Sequence, residues 1–416
     1  MASIMVIGNG AAGNSAAEAI RRAEPDVSII MVAREELPEY SACALPDYLS
    51  GWVSREQLFI KRWHDYYKSN IGMLGGRQVV CIDTGQKRLV TDREEISYDR
   101  LILATGSRAL VPPVPGHELP GNFVVKTVAD IDAIRAHRPK RAVVVGSGNI
   151  GIEMAEALHE QGCQVVLVEM MEQIFPRIFD REPADRILDI LTAPGIEVLT
   201  GARLEEVNGR GRVEEAVAGQ RVIACDTIVW AAGVRQNVEI AREAGITIGE
   251  LGGIKVDQFL QTSCPGIYAC GDCIESIDML TGRPALSLLW PNAKRQGAIA
   301  GLNSIGGQVA YEGAVSLVME EIFGVPVASM GLTAQALKNE PVQVIEGESH
   351  GRYWRLLLVD DRIMGMQAIG ETSGLGAVMA MMKNCISVTD FRKIVSDPDL
   401  VRKAAWYLPA RQFLMS

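Results

Sequence analysis

Ile4-Met5-Val6-Ile7-Gly8-Asn9-Gly10-Ala11-Ala12-Gly13 and Ala142-Val143-Val144-Val145-Gly146-Ser147-Gly148-Asn149-Ile150-Gly151 are two copies of one pattern, and the pair decides the fold. Each is a short apolar strand entering a G-x-G-x-x-G turn and then a helix-like run, residues 14–23 in the first copy and 152–161 in the second. Glycine permits the tight turn and the close approach of backbone to a pyrophosphate, and a helix start adds unpaired N–H groups and a positive dipole end. One such turn is weak evidence, since glycine-rich turns are common. Here both copies lead to a second strand that ends near an acid: residues 27–32 then Glu35, and residues 164–168 then Glu169.

The repeat extends outward. Leu101-Ile102-Leu103-Ala104-Thr105-Gly106 and Ile228-Val229-Trp230-Ala231-Ala232-Gly233 are matching apolar strands that end in a small-small-glycine turn. One nucleotide in each module makes two per chain. A carboxylate at the end of the second strand accepts a hydrogen bond from a ribose 2′-hydroxyl and repels a 2′-phosphate. Glu169 is followed by Met170 and Met171 with no arginine at hand, which favours NADH over NADPH.

Composition agrees with an enzyme of two or three domains. The chain has 416 residues, 48% hydrophobic and 22% charged, and a net charge of −10. That charge, with few aromatics and no basic aromatic stretch, argues against nucleic acid. No run approaches the apolar length of a membrane span and no leader precedes Ile4, so the expected location is cytoplasmic. Eight cysteines in such a chain are expected as thiols. The pair Cys270 and Cys273, with Cys264 nearby, lacks the second pair or histidines that a metal site needs, and no metal is expected.

These residues resemble the pyridine nucleotide–disulfide oxidoreductases, flavoproteins with two dinucleotide-binding domains, over nearly the whole chain. The family's third marker stands at Thr262-Ser263-Cys264-Pro265-Gly266-Ile267-Tyr268-Ala269-Cys270-Gly271-Asp272, where the resemblance gives Asp272 the ribityl chain of FAD. Leu289-Trp290-Pro291-Asn292-Ala293-Lys294-Arg295-Gln296-Gly297 resembles the helix start aimed at the flavin pyrimidine edge. The resemblance implies an α/β fold of two Rossmann-like domains, one inserted in the other, plus a C-terminal α/β interface domain that resembles the family's from about residue 308. The expected FAD domain is 1–112 with 252–309, the NAD(H) domain 113–251, and the interface domain 310–416. Implied FAD-binding residues are Gly8, Gly10, Ala12, Gly13, Glu35, Val79, Ala104, Thr105, Gly106, Gly271, Asp272, Pro291 and Ala293. Implied NAD-binding residues are Gly146, Gly148, Asn149, Ile150, Gly151, Glu153 beside the nicotinamide, Glu169, Ala232 and Gly233.

The route of the electrons beyond FAD depends on Tyr40-Ser41-Ala42-Cys43-Ala44-Leu45-Pro46-Asp47-Tyr48-Leu49-Ser50-Gly51. This stretch resembles the single-cysteine segment of NADH oxidases, NADH peroxidases and coenzyme A disulfide reductases, where the cysteine lies over the flavin. The chain departs from those enzymes at Ala42, Ala44 and Asp47, and Ala11 replaces the histidine of peroxidases and water-forming oxidases. Tyr407 lies in a different context from the tyrosine of the coenzyme A enzymes. The opening glycine turn and Glu35-Glu36-Leu37-Pro38-Glu39-Tyr40 resemble rubredoxin and ferredoxin reductases, and FAD subunits of anaerobic aldehyde or 2-oxoacid oxidoreductases. Two readings stay open: an NADH-linked flavoprotein feeding an iron–sulfur protein or subunit, as a homodimer or in a hetero-oligomer, or a stand-alone disulfide, persulfide or coenzyme A disulfide reductase with Cys43 as nucleophile. A regulatory flavoprotein that senses NADH is a third.

Elsewhere the expectations are structural. Residues 375–382, after Met364 and Met366, read as a packed methionine-bearing helix, and Cys385 as a buried thiol. Residues 59–68 read as an amphipathic helix carrying His64, with Lys61 and Arg62 on a solvated face or lining the flavin side. Trp354 and Trp406 read as interface anchors.

Overall fold

The apolar run Ile4-Met5-Val6-Ile7 is at most 7% exposed at any residue because it becomes the central strand of a parallel sheet covered on both faces. A computed structural model describes residues 3–389. Strand Ser3–Ile7 lies between Ser28–Val32 and Arg100–Leu103, with Ile7 opposite Val32 and Leu103. Ile71–Leu74 and Ile267–Ala269 complete the five strands, all parallel. The second copy repeats this order: Arg141–Val145 lies between Gln164–Val168 and Thr227–Trp230, flanked by Glu197–Leu199 and Asn122–Val124. Both sheets have the doubly wound architecture expected of the α/β class.

Each module also carries a three-stranded antiparallel sheet before its fourth strand, a feature the sequence did not announce. These are Val79–Asp83, Arg88–Thr91 and Glu95–Ser97 in the first, and Leu204–Asn208, Glu215–Ala218 and Arg221–Ala224 in the second. The outermost parallel strand differs in origin. It is the last strand of the first sheet in chain order, Ile267–Ala269, but in the second sheet Asn122–Val124 precedes the glycine turn.

The chain divides into two compact units. Among the described residues, one holds those up to Arg108 with Val234–Ala314; the other holds Ala109–Gly233 and those from Val315 to Thr389. Val238, Ala241 and Ile246, which the sequence reading groups with the NAD(H) segment, lie in the core of the first unit with Ile4 and Leu101. Tyr311 and Ala314 lie there too.

In the second unit, residues from Leu317 build an antiparallel sheet in the order Leu317–Ile322, Val325–Gly331, Arg362–Ile369, Arg352–Val359, Gln343–Ser349. The helix Leu375–Lys383 packs against Arg362–Ile369 and buries Met381 and Met382. Cys385, expected to be buried, is exposed; it stands just past the helix at φ +51, where the chain has already turned outward. Trp354 is half-buried on Arg352–Val359, while Trp406 and Tyr407 lie outside the described residues. Among the described residues no helix is long and apolar enough to cross a membrane.

Candidate functional site

The two glycine turns have the same geometry. Gly10 (φ −83, ψ −171) and Gly148 (φ −76, ψ −175) are the N-caps of helices Ala11–Ala23 and Asn149–Glu160, so each helix starts inside its motif, three residues before the sequence suggested. The outer glycines are packing residues. A Cβ on Gly8 would sit 2.1 Å from the Ala104 carbonyl oxygen, and one on Gly146 would sit 2.5 Å from that of Ala231; both glycines have positive φ. A Cβ on Gly13 or Gly151 would sit 2.0 or 1.8 Å from the carbonyl oxygen of the motif's first glycine. At the middle glycines, Gly10 and Gly148, a Cβ meets nothing within 4 Å. Among the described residues neither helix has a side-chain cap or an acid in its first turn, which leaves the first N–H groups for an anion. An open cradle with uncapped donors fits a dinucleotide pyrophosphate at both turns.

Beside the first turn the structure brings Ala12, Gly271 and Ala293 together. Ala12 touches the Gly271 turn, since a Cβ on Gly271 would lie 2.8 Å from the Ala12 methyl and 3.9 Å from that of Ala293. Ser107 Oγ donates to Asp272 Oδ2 at 2.7 Å. Thr105 Oγ1 donates to the Asn237 carbonyl at 2.6 Å, and Asn237 Nδ2 returns a bond to the Thr105 carbonyl at 2.8 Å. Gly106 has φ +64. Tyr40 donates its hydroxyl to Glu35 Oε2 at 3.0 Å. Val79 starts the strand Val79–Asp83 and is buried. Pro291 is in the first turn of the helix Trp290–Ser304. Cys43 is exposed in the short turn Ala42–Ala44, directly before the helix Leu45–Ser50. Cys270 and Cys273 are fully buried, and burial holds both thiols above their ordinary pKa; Cys273 Sγ donates to the Cys270 carbonyl at 3.3 Å.

Two residues beside this site, Gln296 and Asn14, were not assigned from the sequence, and a third, Lys61, was expected on a solvated face or lining the flavin side. Gln296, fully buried, accepts from the Gly271 N–H at 2.8 Å and donates to the Tyr311 hydroxyl at 3.1 Å, fixing the turn that carries Asp272. Asn14 donates through Nδ2 to Asn9 Oδ1 and to the carbonyls of Asn9 and Gly10, bracing the turn from inside. Lys61 Nζ lies 2.6 Å from Glu18, 2.9 Å from Glu39 and 2.9 Å from Asn14 Oδ1.

That network corrects the expectation of a helix over residues 59–68 and, of the two places expected for Lys61, overturns the solvated face. The helix is only Trp63–Lys68, its start closed by Asp65, whose Oδ2 accepts from the Arg62 N–H at 2.7 Å and whose N–H donates to the Arg62 carbonyl at 3.0 Å, and Lys61 precedes it with its side chain 16% exposed. Burial alone would lower the Lys61 ammonium's pKa, but the Glu18 hydrogen bond and the charge of Glu39 override it and raise it. Burial pushes the Glu39 carboxyl above its usual range, against the pull of Lys61.

In the second unit, Glu169 is 5% exposed at the end of Gln164–Val168. Its Oε2 accepts from the Ser147 N–H at 2.9 Å and from Ser147 Oγ at 2.6 Å, and its Oε1 accepts from the Met171 N–H at 2.8 Å. Asn149 and Ile150 form the first helical turn; Asn149 Oδ1 is buried without a partner, and Ile150 is 37% exposed. Glu153 is half-buried on the same helix. Ala232 and Gly233 (φ +100) follow the strand Thr227–Trp230.

Comparison with known proteins matches this architecture. A family model described as pyridine nucleotide-disulphide oxidoreductase matches residues 2–297. The chain is similar to an NADH oxidase of Methanocaldococcus jannaschii, with 32% identity over 97% of this chain and 94% of that one. It is also similar to the epsilon subunit of an NADH-dependent phenylglyoxylate dehydrogenase of Aromatoleum evansii, with 26% identity over 95% of this chain and 94% of that one. Among solved structures, an NAD-dependent persulfide reductase of A. fulgidus superposes with a TM-score of 0.90 at 27% identity, covering 99% of this chain and 84% of that one.

Proposed function

The chain belongs to the pyridine nucleotide-disulphide oxidoreductase family and is an FAD-dependent NADH oxidoreductase; from that premise we propose that it passes electrons between NAD(H) and an iron–sulfur protein or subunit. Bound FAD supplies the exchange of two electrons with nicotinamide and of single electrons with a cluster. In this reading the first turn, with Gly8, Gly10, Ala12 and Gly13, holds the FAD pyrophosphate, Asp272 on its Ser107 tether takes the ribityl chain, and Gln296 keeps the Gly271 turn in place. The second turn, with Gly146, Gly148 and Gly151, holds NAD(H), and Glu169 takes the adenosine ribose.

The observation that carries the partner is the segment after Cys43. Trp52 (76% exposed), Ile60 (51%), Trp63 (45%) and Tyr67 (86%) stand out of one stretch of the first unit, beside the exposed cations Arg55, Arg62 and Lys68. Scattered apolar side chains need no explanation, but aromatics and cations concentrated on one segment of an acidic chain fit an acidic protein partner. The similarity to the subunit of a multi-subunit dehydrogenase supports the same reading.

A second reading rests on Cys43. An exposed thiol at the start of a helix suits a nucleophile toward a disulfide or persulfide, and the persulfide reductase fold match supports it.

Anaerobic titration with NADH separates the two. Under the first reading one NADH bleaches the flavin fully, and the double variant Trp52→Ser/Tyr67→Ser slows reduction of a ferredoxin while ferricyanide reduction stays unchanged. Consumption of a first NADH with little bleaching and a long-wavelength thiolate–flavin band, abolished by Cys43→Ser, overturns the first reading in favour of the second.

A further inference from the structure

The carboxylate of Glu169 is not simply present at the strand end; it is clamped. A carboxylate offers about four lone-pair positions. Three are taken here, two by Ser147 through its N–H and hydroxyl and one by the Met171 N–H. Ser147 is fully buried. Its carbonyl also accepts from the Phe175 N–H at 3.0 Å, so the loop from Glu169 to Phe175 is tied to Ser147 at both ends. Phe175 is itself fully buried and held at φ +47, a backbone state that bulky residues adopt only when their surroundings impose it. The Glu169 backbone is pinned as well, its N–H donating to the Leu199 carbonyl at 2.8 Å and its carbonyl accepting from Ala202 at 3.0 Å.

A carboxylate held this way cannot swing aside to admit a second anion, and it keeps one acceptor position open. The loop adds negative charge: a Cβ on Gly201 would lie 3.1 Å from the Glu172 carboxylate, which places that acid beside the same strand end. The residue between the first two glycines does different work in the other module, where the Asn9 side chain donates to the Leu37 carbonyl and accepts from Tyr66.

We propose that Ser147 is a specificity-determining positioning residue, which by clamping Glu169 sets the preference for a nucleotide with a free ribose 2′-hydroxyl over one with a 2′-phosphate. The proposal rests on the reading of the second glycine turn as the NAD(H) site.

The test is calorimetric titration of NAD+ and NADP+ into the oxidised, FAD-loaded protein and its Ser147→Ala, Ser147→Gly, Ser147→Thr and Glu169→Gln variants. Loss of a hydrogen bond to a charged group is worth roughly ten-fold in affinity. The ratio of NADP+ to NAD+ dissociation constants is expected to fall about ten-fold in Ser147→Ala and Ser147→Gly, to recover in Ser147→Thr, and to fall further in Glu169→Gln. Because either small residue reads out the same loss, one misfolded variant does not end the test. Equal weakening of both nucleotides, or an unchanged ratio in both small-residue variants while Glu169→Gln lowers it, overturns the role of Ser147. An unchanged ratio in Glu169→Gln overturns the reading of the acid itself.

Discussion

Lys61 shows how much one side chain can bind together. It joins Glu18 on the first helix, Glu39 before the Cys43 segment and Asn14, which in turn braces the Asn9-Gly10 backbone. Glu39 is 3% exposed, so removing its partner leaves a buried carboxylate uncompensated. Lys61→Met is therefore expected to destabilise the protein by about 3 kcal/mol, read as a lower urea midpoint with an unchanged slope, whereas Lys68→Met on the exposed end of the next helix changes little. The pH dependence has a definite sign. The folded-state pKa of Lys61 is raised above its ordinary 10.5, so the stability it contributes is complete below that value and is lost as the pH climbs through the higher folded value. An unchanged alkaline unfolding limb in Lys61→Met would contradict this.

Between elements, helices Ala11–Ala23 and Trp290–Ser304 approach closely. A Cβ on Gly297 would lie 2.1 Å from the Ala12 carbonyl oxygen, and one on Gly301 would lie 2.5 Å from that of Ala16. Two glycines a turn apart thus face two alanines a turn apart, and the small side chains let the backbones touch. The neighbouring Gln296 passes this contact on to the Gly271 turn. Gly297→Val is expected to force the helices apart at a cost of about 3 kcal/mol and to shift Asp272. Purified protein should then show a reduced ratio of flavin to protein absorbance, and full flavin content in a folded Gly297→Val variant would show that the approach does not position the site.

At the scale of the molecule, two units repeat one sheet order, and each is expected to respond to its own nucleotide. A ligand present at a hundred times its dissociation constant stabilises its site by about 2.7 kcal/mol, which slows amide exchange there roughly a hundred-fold. NAD+ is expected to protect residues 146–151 and 169–171, while FAD protects 8–13, 104–106 and 271–272, in hydrogen-exchange mass spectrometry of the loaded and unloaded protein. Protection of the first turn by NAD+ in place of the second would reverse the assignment.

How much of this is legible in the chain depends on how local each signal is. The glycine turns, their flanking strands and the acids after them are readable because strand burial, positive φ and helix entry are imposed by residues adjacent in sequence, and the α/β class with two nucleotides comes from two such copies; that one of the two is FAD comes from the family resemblance. The Gly271-Asp272 marker is readable through that same resemblance. Ser147 and Gln296 stood in conspicuous motifs without a role, because a role needs a partner: Glu169 comes from the next strand, and Gly271 from a different turn. The place of Lys61 stayed open between a solvated face and the flavin side because the helix starts four residues later than the apolar spacing suggests, and its partners Asn14 and Glu18 lie far back in the chain. The exposure of Cys385 and the packing of Val238, Ala241 and Ile246 with the first sheet are likewise set by where the chain turns in space. The sequence by itself determined the repeated module, since that depends on short-range backbone geometry, and through its family resemblance the cofactor chemistry; the tertiary structure alone decided which polar groups are buried together, since burial pairs residues that only the folded chain brings within a hydrogen bond.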